Sequence, residues 1–433
     1  MSFADATIER LPGPLRPFAE RHHELIKFAI VGATTFVIDM AVFFTLKLTI
    51  LEPKPVTAKI IAGIVAVIAS YILNREWSFR DRGGRERHHE ALLFFVVSGV
   101  GVVLAMVPLW MLANAIGCGN TFVLKPSEKD PSASLALARW FTEAGLPDGV
   151  LNVLQGDREA VDRLLEHPDV RAISFVGSTP VARSVYARAT AAGKRVQALG
   201  GAKNYMIVLP DADMDVALKA CSGSIFGSTG QRCLAGSVIV GVGDAHAQIR
   251  DRMLDSAASI RLGDGLQPGT DMGPLISAAH RDRVNAFIDQ GVSDGAKLSL
   301  DGRGATVEGL EGGYWVGATV FADVPPDVSI ATEEVFGPVA GINRAKDIDE
   351  AIRMMHASRY GNACSIFTTS GKAAREFRYQ AGISMIGVNI GVAAPMAFFP
   401  FGGSKGSFYG DLKAQGRDGI FFYTDQRVVI SRW

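Results

Sequence analysis

Residues Phe28 to Leu46 form an apolar run with a single charge, Asp39, long enough to cross a bilayer as one helix. A second run, Val56 to Leu73, is interrupted only by Lys59, and from Ala91 to Leu124 there is no charged residue at all, although Pro108 and a Gly-rich patch break its later part. Any one of these would suit a buried core helix, but three in succession, separated by short basic loops, predict membrane spans. Arg10, Arg16, Arg21 and Lys27 precede the first run, and Arg75, Arg80, Arg82, Arg85 and Arg87 follow the second. The excess of basic residues places both flanks in the cytoplasm and the Lys47–Lys54 loop outside. Asp39 is costly against lipid, so it faces either a polar cavity or a neighbouring helix whose Ser or Asn it engages for packing. Met1 to Arg21 is polar and proline-broken, unlike a cleavable signal peptide.

The remainder has the composition of a soluble protein. Lys plus Arg equals Asp plus Glu, 44 each in 433 residues, which argues against a nucleic-acid or other anionic partner. Four cysteines, Cys118, Cys221, Cys233 and Cys364, lack metal-binding spacing, and in so long a chain they read as reduced thiols of a cytoplasmic setting.

From residue 120 the pattern changes period. Asn120–Lys125, Val150–Leu154, Ala172–Val176 and Arg195–Leu199 read as strands, and Ser132–Ala144, Asp157–Glu166 and Val181–Ala192 as helices between them. Strands alternating with helices predict a parallel α/β sheet. Gly177-Ser178-Thr179 ends a strand where a helix opens, a place where backbone amides can hold phosphate. The GxGxxG fingerprint is absent, so glycines alone do not identify a dinucleotide fold. Cys233 lies in the Gly-rich run FGSTGQRCLAG ahead of the strand-like SVIVGV. A lone cysteine is most often a small buried apolar residue, and a loop-held, partly exposed one can be a nucleophile.

Two family resemblances rest on longer motifs. KFAIVGATTFVIDMAVF and KIIAGIVAVIASYILNREWSFR, with Asp39 and the Asn74–Phe79 stretch, resemble the GtrA-like family of small four-span membrane proteins over residues 23 to 113. That resemblance implies handling of polyprenyl-linked sugars in polysaccharide synthesis; here the fourth span is missing. LWMLANAIGCGNTFVLKPSEKDPS, ISFVGSTP, QALGGAKN, GSTGQRC, EEVFGPV and PFGGSKGS, in this order over Val107 to Trp433, resemble the aldehyde dehydrogenase superfamily. Within it, CGNTFVLKPSEKDPS, RVQALGGAKN and GQRC look like the CoA-acylating methylmalonate- and malonate-semialdehyde dehydrogenase branch.

The second resemblance implies roles for particular residues. Cys233 is the catalytic nucleophile, and NAD is held by Lys125, Glu128, Lys129, Gly177, Ser178, Gly200 and Glu334. Lys125 and Glu128 match the pair on the adenosine ribose, Gly177 and Ser178 the diphosphate contact, and Glu334 the nicotinamide-ribose carboxylate. Hydrolytic members carry a Glu before Leu-Gly-Gly that activates water; this chain has Ala198, so coenzyme A is the expected acyl acceptor. Arg232, beside the nucleophile, suits a substrate carboxylate.

The expected architecture is a membrane segment of two or three transmembrane helices fused to an α/β aldehyde dehydrogenase fold whose parallel-sheet NAD domain is incomplete. Its divisions are a cytoplasmic tail (1–22), the GtrA-like region (23–113), a partial NAD-binding domain (114–203), a catalytic domain (204–400) and a C-terminal cofactor-domain and oligomerisation segment (401–433). The expected reaction converts a malonate or methylmalonate semialdehyde to an acyl-CoA with loss of carbon dioxide. The expected partners are that small molecule, the membrane through the N-terminal spans, and further copies of the chain. No Asn-Phe-Pro motif precedes Val107, so the family's oxyanion-hole Asn is missing, a loss worth about a hundred- to a thousandfold in rate. Two other readings stand beside the enzyme: a polysaccharide-assembly membrane protein with a passenger domain, and a non-functional chimera of two genes joined near Met106. With three spans and an inside N-terminus, Cys233 would lie outside the cytoplasm. It lies inside only if Ala91–Ile116 does not insert and its later half packs on the dehydrogenase.

Overall fold

The computed structural model describes residues 111–433, together with isolated positions 34, 41, 42, 45 and 49. The apolar runs at 28–46 and 56–73, and the third up to residue 110, lie outside the described residues apart from those isolated positions. Among the described residues, no helix is long and apolar enough to cross a membrane. Contacts divide the chain into Met1–Val107 and Pro108–Trp433, and residues 111–433 belong to the second unit.

Residues 111–117 are helical, with Leu112 and Ala115 wholly buried. Ser174 donates a hydrogen bond to the Met111 sulfur at 3.1 Å, and a Cβ on Gly419 would fall 2.4 Å from Asn114 Nδ2. The end of the third apolar run therefore packs inside the dehydrogenase-like unit. Its apolar side chains are satisfied by a protein core.

The next segment alternates as its periodicity predicts: β1 (Phe122–Leu124), α1 (Ser132–Glu143), β2 (Leu151–Val153), α2 (Arg158–Glu166), β3 (Ala172–Val176), α3 (Thr179–Ala191) and β4 (Arg195–Leu199). Asp157 caps α2 by accepting from the Glu159 amide at 3.1 Å, which is why that helix starts where it does. The strands do not join in one sheet. β1 pairs only with β2, while β3 pairs with β4, and β4 with the distant β14 (Phe408–Tyr409) running antiparallel. Among the described residues no strand lies between the two pieces. Apolar side chains accordingly stay in solvent: Val123 is 42% and Val176 51% exposed, and α1 buries none of its residues.

The following segment builds the main body. It comprises β5 (Asn204–Val208), α4 (Met214–Phe226), β6 (Gly236–Val242), α5 (Ala245–Ala258), α6 (Ala278–Ser293), β7 (Lys297–Leu300), β8 (Thr319–Ala322), α7 (Ser329–Thr332) and β9 (Val339–Ala345). After these come α8 (Ile348–Ala357), β10 (Tyr360–Gly361), β11 (Ala363–Phe367), α9 (Gly371–Gln380), β12 (Met385–Val388), β13 (Ser404–Lys405) and α10 (Gly416–Phe422). Seven strands form one sheet in the order β12-β11-β5-β6-β9-β8-β7, parallel except for β7 against β8. Successive side chains point to opposite faces, so Met206 joins Ile225, Ile239, Ile249 and Met253 on one side. Ile207 joins Val240, Ile352, Ile366 and Phe377 on the other. Both faces being covered, β5 and β11 are buried at every residue, as their near-continuous apolar sequences require.

Candidate active site

The nucleophile candidate is presented by an uncommon turn. After α4, residues Gly227–Gly230 form a 3-10 turn in which Ser228, Thr229 and Gly230 all have positive φ (51°, 55° and 67°). Non-glycine residues rarely hold that conformation unless the surroundings over-determine it. Here they do: Thr229 is 2% exposed and donates to Gly273 O at 2.9 Å, and Gln231 accepts from the Ile276 amide at 3.1 Å. Gly230 is required outright, because a Cβ there would stand 2.1 Å from Gly337 O. The turn releases Cys233 just ahead of the amino end of β6.

Two buried asparagines then hold the backbone of Cys233. Asn204, at the start of β5, donates to Cys233 O at 3.0 Å and Ala235 O at 2.8 Å, while its own Oδ1 accepts from the Ala363 amide at 3.0 Å. Asn362, just before β11, donates to Cys233 O at 2.7 Å. Three strand ends thus fix one carbonyl. Sequence reading overlooked both asparagines; Asn204 stood in the QALGGAKN motif, but its role depends on pairing that only the sheet creates. Asn204 spends both of its amide hydrogens, on Cys233 O and Ala235 O, whereas Asn362 spends one, on Cys233 O.

Cys233 is half-buried in a cleft of about 320 Å³ lined also by Ala202, Asn204, Arg232, Glu334 and Phe336. Burial pushes its thiol above the ordinary range, and the nearby Glu334 charge pushes the same way. The amides of Cys233 and Leu234 and the Arg232 guanidinium act against this, favouring the thiolate. Cys221 and Cys364 are buried core residues; burial alone raises Cys364 to about 12.

Arg232 is less free than its sequence position implied. Its Nη2 donates to Gly223 O at 2.6 Å and Ser224 O at 2.8 Å, tying the guanidinium to the last turn of α4. Its Nε is buried with no hydrogen-bond partner.

Glu334 follows α7 and lines the same cleft. Its Oε1 accepts from the Ala202 amide at 3.0 Å, and Gly201 must lack a side chain because a Cβ would meet Oε2 at 2.4 Å. Burial raises its carboxyl, while the Ala202 amide and the charges of Arg283 and Lys203 lower it. Arg283 on α6 reinforces the loop by donating to Glu334 O at 3.0 Å. Neighbouring Glu333 instead pairs with Arg359 on the other side.

The other candidates fall at the amino end of α3 and around β1. Ser178 is the residue before α3, extended, and its hydroxyl caps nothing in the helix. That leaves a free donor beside the first-turn amides, where anions are favoured. The Gly177 amide donates to Leu199 O and the Gly200 amide to Ser407 O, both at 3.0 Å, so the sheet has already taken these donors. What the glycines offer is absence of a side chain: at Gly200 a Cβ would stand 2.7 Å from Gly406 O. Thr179 supports this corner by accepting from the Gly201 amide at 2.8 Å and donating to Gly406 O at 3.1 Å. Lys125 Nζ donates to Gly156 O at 2.6 Å and lies 3.7 Å from Glu128, so these two do come together. The charge of Lys129 is one of the smaller influences that lower His280 on α6. Ala198 is wholly buried in β4, opposite Phe175 and Tyr409, and brings no base to the cleft.

A free hydroxyl at a helix start, a buried carboxylate and a side-chain-free floor between them form a cradle for a ligand that joins anionic and hydroxyl-bearing parts. Comparison with known proteins agrees in extent. The aldehyde dehydrogenase family model matches residues 102–429, and a GtrA/DPMS transmembrane-domain model matches residues 27–138. Of the stretch that both cover, the described part from residue 111 is folded with the dehydrogenase-like unit. The chain is 50% identical over 330 residues to malonate-semialdehyde dehydrogenase of Pseudomonas aeruginosa, covering 76% of this chain and 66% of that one. To malonate-semialdehyde dehydrogenase 3 of Geobacillus kaustophilus it is 50% identical over 328 residues, 76% of this chain and 68% of that one. Methylmalonate-semialdehyde dehydrogenase from Oceanimonas doudoroffii superposes with a TM-score of 0.74 at 47% identity, over 76% of this chain and 67% of that one. Mycobacterium tuberculosis aldehyde dehydrogenase, solved with NAD, gives a TM-score of 0.69 at 33% identity, over 73% of this chain and 65% of that one. The chain spans about two thirds of the length of its curated relatives. By the match to its family model and by these relatives, the chain belongs to the aldehyde dehydrogenase family.

Proposed function

We propose that the 108–433 unit is an NAD-dependent, CoA-acylating dehydrogenase of malonate or methylmalonate semialdehyde, giving acetyl-CoA or propionyl-CoA and carbon dioxide. The observation that carries it is the Cys233 carbonyl clamped by Asn204 and Asn362 beside Glu334, in a chain half identical to malonate-semialdehyde dehydrogenases. Cys233, as thiolate, attacks the aldehyde carbon and the resulting thiohemiacetal stays on sulfur. NAD held in the cleft would supply the hydride acceptor that oxidises this adduct to a thioester. Glu334 accepts from the hydroxyls of the nicotinamide ribose, and Ser178 with the start of α3 holds the diphosphate. Lys125 and Glu128 hold the adenosine ribose, with Lys129 nearby; Gly177 and Gly200 make room. Arg232, which lines the cleft, holds the substrate carboxylate next to the sulfur. With Ala198 in place of a carboxylate, water has no base, and the CoA thiol takes the acyl group.

The test is NADH formation from malonate semialdehyde, measured with and without CoA, in the native chain and in Cys233→Ala. CoA-dependent turnover that disappears in the variant is the expected result. Turnover without CoA, or turnover that survives the substitution, would refute the assignment.

The match of residues 27–138 to the GtrA/DPMS transmembrane model supports a second reading for the rest of the chain. We infer that residues 23–110 are a membrane segment of two spans behind a cytoplasmic tail, 1–22, which leaves the dehydrogenase on the cytoplasmic side. Within that dehydrogenase, 114–203 serves the cofactor, 204–400 the chemistry, and 401–433 cofactor contacts and self-association. Recovery of the full chain only in the soluble fraction, after lysis and ultracentrifugation, would overturn the membrane assignment.

A further inference from the structure

His280, Arg283 and Val284 are spaced by one helical turn on α6 and so share one face of it. All three meet the loop after α7 that carries Glu334. Nε2 of His280 stands 2.7 Å from the carbonyl oxygen of Phe336, and Arg283 Nη2 donates to Glu334 O at 3.0 Å. A Cβ on Gly337 would fall 2.8 Å from Val284 Cγ2, so the loop is seated closely on the helix. Ser277 caps α6 by accepting from the His280 amide at 3.3 Å, which fixes the turn from which the imidazole projects. A carbonyl can only accept, so Nε2 of His280 carries the hydrogen and donates it. Burial lowers this imidazole, so near neutral pH the ring is neutral and that hydrogen is its only one.

The residue held by this bond is strained. Phe336 has a φ of 58°, a conformation that bulky side chains keep only where the surroundings over-determine it. The next residue, Gly337, is wedged against the turn that precedes Cys233, since a Cβ on Gly230 would stand 2.1 Å from Gly337 O. The rings of His280 and Phe336 meet edge to face, with centroids 6.1 Å apart. Phe336 and Glu334 line the cleft together with Cys233, whereas His280 does not. We propose that His280 is a positioning residue: its Nε2–H bond to Phe336 O holds the loop in its left-handed turn, so that the Phe336 ring walls the cleft and the Glu334 carboxylate stays in place for the dinucleotide. The inference rests on the assignment of Glu334 to the nicotinamide ribose. His280 acts through the backbone of the loop and touches no reacting atom. Without its hydrogen, Phe336 relaxes toward negative φ and carries its ring and the preceding carboxylate out of register.

Glutamine and asparagine separate this role from simple filling of space. The glutamine amide nitrogen reaches as far as Nε2 of histidine, whereas the asparagine amide ends near the position of Nδ1. The dissociation constant of NAD is measured by calorimetry on the full chain, native and with His280→Ala, His280→Asn, His280→Gln and Glu334→Gln. His280→Ala and His280→Asn are expected to bind NAD about tenfold more weakly than native. His280→Gln, which keeps a donor at the right reach, stays within about threefold of native. Glycine takes positive φ without strain, so adding His280→Ala to Phe336→Gly is expected to change binding by less than about threefold. Native affinity in His280→Asn, or a loss in His280→Gln as large as in His280→Ala, overturns the role of His280. If the alanine variant fails to fold, the contrast between asparagine and glutamine decides. Native affinity in Glu334→Gln overturns the ribose assignment alone, and the same contrast still reads His280. A native chain that binds no NAD overturns both.

Discussion

The side chain of Asn204 donates to the carbonyl of Cys233 at 3.0 Å, joining the first residue of β5 to the backbone of Cys233 across 29 positions of sequence. Because Asn204 is 4% exposed and also bonds Ala235 and Ala363, its truncation leaves several buried backbone groups unpaired. Asn204→Ala is expected to lower unfolding free energy by about 2–3 kcal/mol. Chemical denaturation reads this, and a loss below about 0.5 kcal/mol would show that Asn362 holds the turn by itself.

The left-handed turn should be equally intolerant. Gly230→Ala places a methyl 2.1 Å from Gly337 O in a backbone with φ of 67°. The expected cost is at least about 2 kcal/mol. Alkylation of Cys233 by iodoacetamide should change more than alkylation of Cys118, the other half-buried thiol, which reports only general access.

Lys203 makes stability depend on pH with a definite sign. Its amine falls from 10.5 when unfolded to about 8 when folded, so between those values the unfolded chain holds the extra proton. Stability therefore rises with pH across that window, and the burial penalty is present in full below it. Lys203→Met should then be more stable than native near neutral pH by roughly 3 kcal/mol, the two curves converging above about pH 10. Denaturant midpoints across pH measure this; a less stable variant at neutral pH would mean that the ammonium is stabilised by a contact stronger than the charges of Glu334 and Glu333.

The cofactor-side strands should open more easily than the main sheet. β1 and β2 form an isolated pair beside a helix that buries nothing, whereas β5 and β11 are buried throughout. Hydrogen exchange of the full chain should show amides of residues 122–153 exchanging about a hundredfold or more faster than those of 204–208 and 363–367. Equal protection would mean that both regions open only by global unfolding.

Much of this architecture was legible in the residues. β3 (Ala172–Val176) and β4 (Arg195–Leu199) fall on the stretches where branched apolar residues run between turn residues, and α2 begins after the Asp that caps it. Cys233 and Glu334, far apart in the chain, share one cleft as their motifs implied. Whether Gly177 and Gly200 can lend their amides to a ligand depends on partners, and the neighbouring strand and Ser407 have claimed both. The same holds for Arg232, whose guanidinium turns back to carbonyls freed at the end of α4.

The amino-acid order by itself determined the alternation of strand and helix and the apolar runs, and its motifs carried the resemblance that singles out Cys233 and Ala198. The first two are properties of residue type and local period, acting over a few positions of chain. Tertiary structure alone decided that residues 111–117 pack on Ser174 and Gly419, that Asn204 and Asn362 converge on one carbonyl, and that Lys203 is buried. Those facts concern hydrogen-bond partners, burial and electric fields. They exist only once distant segments meet, because a donor is spent, or a charge desolvated, by neighbours that the local sequence does not name.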